Sequence, residues 1–443
     1  MRFFNEKNYK NGEKDLKTRA KGIKISCKRN FSTKKLNFMR RTNMAKKAAP
    51  KKAAAAPKKA ACKKCAAKAA PKKFTIPKKA KAAVLVKPGK FELREYPIPE
   101  IGDDEMLVKV EGCGVCGTDG HEYKRDPFGL CPTVLGHEGS GTIVKIGKNI
   151  TTDFTGAPLG VGDQIVTCII PCGECNACRN TPARTNMCEK SGIYGLNPDD
   201  DIHFNGYFAE YLVIRKNSTV FKVNGMTLDQ RMLVEPAAVA IHAVERAKLT
   251  GLLRFDTKVL VQGCGPIGLM VMAVLRTLGI ENIIAVDGND NRLEFAKRMG
   301  ATTTINFMNY KKFEDQLADV KAATDGLGAE FLIQCTGVAA AAKNAWKMVR
   351  RGGGMCEVGF FMDGGECSIN HHFDICNKEI ALVGSWVYTP QDYPTTFAFL
   401  KRAKGIGLPV EELVTHHFDL ADIQEALETN VQMKGIKVAV TVK

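Results

Sequence analysis

The chain has 443 residues and carries 65 Lys+Arg against 47 Asp+Glu, a net charge of +18. That excess is confined to one end: residues 1–81 hold 28 basic and 3 acidic side chains, whereas residues 82–443 hold 37 and 44. The mildly acidic main part gives no footprint for nucleic acid, is long enough for two ordinary domains, and contains no run approaching the roughly 18 apolar residues of a membrane span.

Residues 1–81 read as a disordered basic tail. From Met44 to Lys81 the text is mostly Ala, Lys and Pro, and Pro50, Pro57, Pro71 and Pro77 break any helix the alanines favour. Like-charge repulsion and few large apolar groups keep such a segment solvated. Tracts of this kind resemble histone tails, so salt-sensitive contact with nucleic acid or an acidic surface is one reading. An inert or solubilising extension is the commoner one and is preferred. Residues 1–43 are basic, but Glu6, Glu13 and Asp15 spoil a transit-peptide pattern, and Met44 offers an alternative start. Cys62-Lys63-Lys64-Cys65 has no second pair and is read as accidental.

From Ala82 to about Val234 short β-rich runs are separated by Gly, Pro and Asp, as in residues 81–86, 105–110 and 141–146. This predicts an all-β, barrel-like domain with long loops. Cys116-Gly117-Thr118-Asp119-Gly120-His121 and Gly136-His137-Glu138 supply a thiolate, an imidazole and a carboxylate, a set that Zn²⁺ selects. Cys116 and His137 are the obvious ligand pair, with Glu138 adjacent. Glu235, an acid among apolar residues in Leu233-Val234-Glu235-Pro236, is the candidate third ligand. Asp119 suits an acceptor that orients His137 through its other ring nitrogen. Thr118 offers a hydroxyl that hands on a proton, and His121 a ring that carries it towards solvent; a satisfied loop histidine is the plainer alternative for His121.

Between these motifs lies Cys172-x2-Cys175-x2-Cys178-x9-Cys188. Its intervening Gly, Glu, Asn and Arg leave no apolar periodicity, so core thiols are a poor account. Four thiolates saturate a tetrahedral ion and leave no open position, so this zinc would be structural. The chain's 16 cysteines then read as metal ligands plus buried thiols in a reducing compartment, with the cytoplasm as default.

From about Pro236 strands alternate with helices. Six strands are expected at residues 259–263, 283–287, 303–306, 331–335, 354–359 and 380–384, with helices such as 292–299 between them, which is the text of a doubly wound parallel sheet. After the first strand comes Gly263-Cys264-Gly265-Pro266-Ile267-Gly268, opening the apolar helix 269–278. Gly263 permits the tight turn, Gly265 lets the backbone approach a pyrophosphate, and Gly268 lets the helix pack closely with its amino end towards the phosphates. Asp287, at a strand end, suits both ribose hydroxyls and repels a 2′-phosphate, which favours NAD over NADP. Arg292, close by, fits bracing of the adenosine ribose better than capture of an NADP phosphate. Past Ser385 the rhythm stops, and the chain is expected to return to the first domain.

Together these residues resemble the zinc-containing medium-chain dehydrogenase/reductase (alcohol dehydrogenase) family, most of all its sorbitol, butanediol and threonine dehydrogenase branch. The likeness spans residues 82–443. It implies a GroES-like β-barrel catalytic domain (82–235, completed by 386–443), a Rossmann NAD-binding domain (236–385), a cleft between them, two zinc ions per subunit, and dimers or tetramers. In that branch a glutamate before a proline is the third zinc ligand, which supports Glu235, and Glu138 is an alternating ligand or close neighbour of the metal. The family lobe has a shorter loop between its third and fourth cysteines than the nine residues found here, and the acidic segment 197–203 is an insertion that alters an outer surface.

The expected chemistry follows. Zinc binds the substrate hydroxyl and favours its alkoxide, the proton leaves through Thr118 and His121, and hydride passes to NAD. A secondary alcohol or small polyol going to a ketone is the preferred reaction, and L-threonine 3-dehydrogenase-like activity the alternative. Lys124 and Arg125, beside the relay, carry little weight for an anionic substrate. A catalytically inert relative whose tail binds nucleic acid is the reading from another class; the intact ligand, relay and cofactor residues argue against it.

Overall fold

The computed structural model describes residues 74–443; the tail over 1–73, with its Cys62/Cys65 pair, Met44 and any nucleic-acid contact, lies outside them. The elements run β1 (Lys79–Lys87), β2 (Lys90–Pro97), β3 (Met106–Val115), α1 (Gly117–Arg125), β4 (Thr133–Val134), β5 (Glu138–Ile146), β6 (Gln164–Thr167), α2 (Asn176–Asn180), β7 (Tyr211–Ile214), β8 (Val220–Lys222), α3 (Leu228–Met232) and α4 (Val234–Lys248). They continue as β9 (Val259–Gln262), α5 (Pro266–Thr277), β10 (Ile283–Asp287), α6 (Asp290–Arg298), β11 (Thr303–Asn306), α7 (Phe313–Ala322), β12 (Ala329–Gln334), α8 (Ala339–Met348), β13 (Val349–Glu357), β14 (Ala381–Gly384), α9 (Asp392–Gly405), β15 (Val414–Asp419), α10 (Ile423–Val431) and β16 (Lys437–Thr441).

β1 begins inside the stretch that charge alone assigns to the tail. Its Lys-Ala-Lys-Ala opening alternates strictly, with Lys79 and Lys81 exposed and Ala80 and Ala82 buried. A period of two turns a basic, alanine-rich run into a sheet strand with a solvated face.

Two large sheets carry the molecule. A seven-stranded sheet runs β15-β16-β3-β5-β6-β8, with β7 paired to β3; a small sheet β2-β1-β4 lies apart from it. The other large sheet is parallel and six-stranded, in the order β11-β10-β9-β12-β13-β14. Starting at β9, the chain steps out one way to β10 and β11, then returns across β9 to β12. The carboxyl end of β9 is therefore the switch point where such sheets bind ligands. β9 reads Val-Leu-Val-Gln and is buried on both faces, as a central parallel strand must be. After β14, α9 packs against α4 and α5, and the chain rejoins the seven-stranded sheet only at β15 and β16. The architecture is a GroES-like domain with a Rossmann sheet. Among the described residues no helix is long and apolar enough to cross a membrane.

Leu260, fully buried at the centre of β9, tests how tightly this sheet is packed. Leu260→Ala is expected to cost about 2–5 kcal/mol, read as a lower urea midpoint at unchanged slope; a loss below about 1 kcal/mol would mean the sheet's core is loose.

Candidate active site

β3 ends at Val115 and the chain turns into α1 with Cys116 as its amino-terminal cap. The turn is held by Asp119, whose Oδ2 accepts from the Cys116 amide at 2.8 Å. The other oxygen of Asp119 accepts from the Gly136 amide at 3.4 Å and stands 3.5 Å from His137 Nδ1. One buried carboxylate thus braces both segments that carry ligand atoms. The ligand atoms of Cys116, His137 and Glu138 all lie within 4.8 Å of one another, a spacing that one ion, bonded at about 2.0–2.3 Å to each, draws in. Burial opposes a charge on His137, but the neighbouring Asp119 and Cys116 outweigh it and hold its proton affinity well above the ordinary value.

Glu235, in the first turn of α4, lines the same cavity but stands outside that three-residue set. Burial pushes its carboxyl up to about 7, against a hydrogen bond from Tyr388. Thr118 also lines the cavity, its Oγ1 3.7 Å from Cys116 Sγ. His121 is half-buried one turn further along α1, where it contacts Arg125 Nη2 at 3.5 Å and is not part of the cavity wall.

Sequence patterns missed Lys437. Its Nζ lies 2.6 Å from both Glu138 oxygens and 3.3 Å from the Val115 carbonyl, and the side chain is 3% exposed. A lysine inside the apolar strand Lys437-Val438-Ala439-Val440 was the available signal. Phe361, Ser385 and Trp386, which line the cavity, were missed too, because loops carry no period that marks a wall.

The second cluster closes as its spacing predicts. The sulfurs of Cys172, Cys175, Cys178 and Cys188 all lie within 4.8 Å of one another, with Cys175–Cys178 at 3.5 Å and Cys172–Cys178 at 4.0 Å. A tetrahedral ion with bonds of about 2.3 Å separates its sulfurs by roughly 3.8 Å, so the four thiols fit zinc. The nine-residue loop is taken up by a short 3₁₀ segment, Pro182–Met187. Backbone amides of Cys178 and Glu189 aimed at Cys175 lower its thiol to about 6, whereas burial pushes Cys178 up to about 12. Without a cation the four cannot all ionise; a divalent ion removes that conflict. The 197–203 insertion is pinned: Asp199 contacts His203 Nδ1 at 2.7 Å, Asp200 pairs with Arg215 at 2.8 Å, and the His203 ring stacks on Tyr96.

At the end of β9 the backbone of Gly263 has φ +95, and a Cβ there would lie 2.6 Å from Thr336. A Cβ on Gly268 would sit 1.8 Å from the Gly263 carbonyl, so helix α5 approaches its own loop as closely as only glycine allows. Gly265 faces open space, and Pro266 takes the first helical position, where its missing N–H costs nothing. Asp287 closes β10, its Oδ2 accepting from the Cys264 amide at 2.7 Å and its Oδ1 from the Asn289 amide at 2.9 Å. Arg292 follows in the first turn of α6, whose amino end is capped by Asn289.

A single cavity of about 170 Å³ joins these parts. Cys116, Thr118, His137 and Glu138 line one side, while Ile267 of α5 and Val358-Gly359 beyond β13 line the other. A parallel-sheet switch point opening onto a thiol–imidazole–carboxylate site is the architecture of a metal-dependent, dinucleotide-using dehydrogenase.

Comparison with known proteins agrees. The alcohol dehydrogenase GroES-like domain matches residues 102–225 and the zinc-binding dehydrogenase domain residues 266–402. The chain is 32% identical over 366 residues to a sorbitol dehydrogenase of Bacillus subtilis, covering 82% of this chain and 96% of that protein. It is 37% identical over 279 residues to an L-threonine 3-dehydrogenase of Bacillus licheniformis, covering 61% of this chain and 74% of that protein. An alcohol dehydrogenase from Thermotoga maritima superposes with a TM-score of 0.76 at 28% identity, covering 82% of this chain and all (100%) of that one. An Escherichia coli alcohol dehydrogenase complexed with NADH gives 0.69 at 26% identity, covering 82% and 100%. A Sinorhizobium meliloti zinc-binding dehydrogenase bound to NADP gives 0.69 at 26% identity, covering 82% and 99%. The chain belongs to the zinc-binding medium-chain alcohol dehydrogenase family.

The lobe makes a chemical prediction. In metal-stripped protein Cys175 should alkylate at neutral pH, its rate rising with pH through about 6 as the thiolate forms, while Cys178 stays unreactive. Zinc should protect both. Equal labelling of the two thiols, read by peptide mass spectrometry, would contradict the arrangement.

Proposed function

We propose that this enzyme takes a hydride from a secondary alcohol or small polyol, leaving a ketone, and delivers it to NAD. The observation that carries the reading is the shared cavity, which sets the Cys116–His137–Glu138 cluster opposite the amino end of α5. In this reading residues 82–235 with 386–443 carry the metal and 236–385 the cofactor. Zinc held by Cys116, His137 and a carboxylate of Glu138 or Glu235 supplies a Lewis acid that favours the deprotonated alcohol. The four-cysteine lobe holds a second, structural zinc, and NAD is the hydride acceptor.

The chain's own residues do the rest. Thr118 receives the substrate's proton at Oγ1 and passes it towards His121. Burial, then Arg125 and Lys124, lower the proton affinity of His121, so its ring is a neutral acceptor at neutral pH. Lys437 compensates the charge of Glu138 and keeps that carboxylate in place. Asp287, already fixed by two backbone amides, presents a charge that repels a 2′-phosphate, which supports NAD over NADP, with Arg292 bracing the adenosine side. An open sheet edge at β14, with Leu382 51% exposed, supports a homodimer or homotetramer. Free thiols throughout the described residues suit the cytoplasm. L-threonine oxidation is the second reading, favoured by the L-threonine 3-dehydrogenase relative.

The test is NAD⁺ reduction by the full chain on simple secondary alcohols, 2,3-butanediol, sorbitol and L-threonine, with and without a chelator. Chelator-sensitive turnover is expected, and its complete absence with zinc and NAD bound would sink the dehydrogenase reading. His121→Gln should lower kcat at least about tenfold and remove an acidic limb lying below the ordinary histidine value of 6.5. Unchanged kcat and pH profile would place His121 outside the relay.

A further inference from the structure

Resting on the dehydrogenase reading, we infer that the substrate is an uncharged alcohol with an alkyl or aryl flank, held against an aromatic wall made by Phe361 and Trp386. Among the described residues, the cavity beyond the ligand cluster is lined by Ile193, Leu196, Val239, Phe361, Trp386 and Val387, and by no lysine or arginine. Lys437, the buried cation that touches the cluster, is taken up by both oxygens of Glu138. A substrate carboxylate reaching past the metal therefore meets apolar surface, where an unpaired charge is strongly penalised. A polyol meets the same difficulty once for each extra hydroxyl. Apart from Thr118 and Glu235, which line the cavity beside the cluster, Ser385 offers one exception: its Oγ is buried in the cavity wall without a hydrogen-bond partner. A single further hydroxyl on the substrate, or a polar group of the cofactor, is what it can satisfy.

The wall is built rather than incidental. Phe361 and Trp386 stack with centroids 5.1 Å apart, and Phe128 meets Phe361 edge-on at 6.2 Å. Val387 has φ +52, a conformation a β-branched residue adopts only when its surroundings impose it. Two contacts impose it. The Ser385 amide donates to the Glu357 carbonyl at 2.9 Å, and Asn186 Nδ2 donates to the Trp386 carbonyl at 2.8 Å. Asn186 is itself fixed by His242 Nε2 at 3.3 Å, whose Nδ1 meets Asp392 Oδ2 at 2.9 Å. The strained peptide holds the indole against the cavity.

The experiment compares kcat/KM of the zinc-loaded full chain on 2-propanol, 2-hexanol, 1-phenylethanol, sorbitol and L-threonine. The expected result is at least a tenfold preference for 2-hexanol and 1-phenylethanol over sorbitol and threonine. Trp386→Ala should lower the 2-hexanol to 2-propanol ratio about tenfold through KM, and Trp386→Phe should restore most of it. Higher turnover of sorbitol or threonine would overturn the inference while leaving the dehydrogenase reading intact. A Trp386→Ala variant that loses both alcohols equally would show a merely structural indole and would also overturn it. Silence on every substrate, with zinc and NAD bound, would remove the dehydrogenase reading and this inference together.

Discussion

The site is organised by the need to partner charge inside a closed cavity. Glu138, Asp119 and Lys437 are almost wholly buried, within a few ångströms of a thiol and an imidazole. Each alone would be costly there, since an unpaired buried charge loses its hydration without return. The fold answers by making each carboxylate serve two masters. Glu138 faces the ligand cluster and takes Lys437; Asp119 caps α1 and faces His137. Because Lys437 arrives on β16, which pairs with β3, the last strand of the chain completes a site whose other members lie three hundred residues earlier.

That dependence explains the winding path of the carboxyl-terminal region. After β14 the segment 385–388 crosses the cavity, α9 settles on α4 and α5, and β15 and β16 then return to the seven-stranded sheet. Asp392 at the start of α9 anchors His242 and the Thr389 amide, so the helix that packs on α4 and α5 also fixes the cavity wall. Asn186 brings the cysteine lobe into the same network. A metal held in that lobe would keep Asn186 in place and so act on the cavity wall without touching it.

The clustered cysteines, the glycines between β9 and α5 and the six parallel strands were legible because each follows a local rule: spacing, φ tolerance or hydrophobic period. Gly268 is demanded by a contact inside its own loop, Gly263 by a positive φ and the nearby Thr336, and the four lobe cysteines fit one tetrahedron. Lys437 and Trp386 were not legible, since what defines them is a partner three hundred residues away or a loop peptide bent by its neighbours. β1 shows the converse error of composition. Lys79 and Ala80 belong to the same basic run as the tail, yet alternation makes them a strand; net charge describes a segment's average, whereas a sheet reads each second residue. Glu235 lies between these cases. Its apolar setting marked it for the cavity it lines, while the compact cluster is made by Cys116, His137 and Glu138.

Asp287 carries the argument one step further. Both its oxygens accept backbone amides, one from the glycine loop and one from the turn into α6. Under the proposed NAD reading, a carboxylate fixed in this way is not free to swing aside for a 2′-phosphate, so discrimination would be built into the loop's own folding rather than added to it. Removing the charge would loosen the turn that brings the Gly263–Gly268 backbone to a pyrophosphate. In that reading cofactor choice and cofactor binding are coupled through one side chain, and a change of preference at this position would need a new way of holding the Cys264 and Asn289 amides.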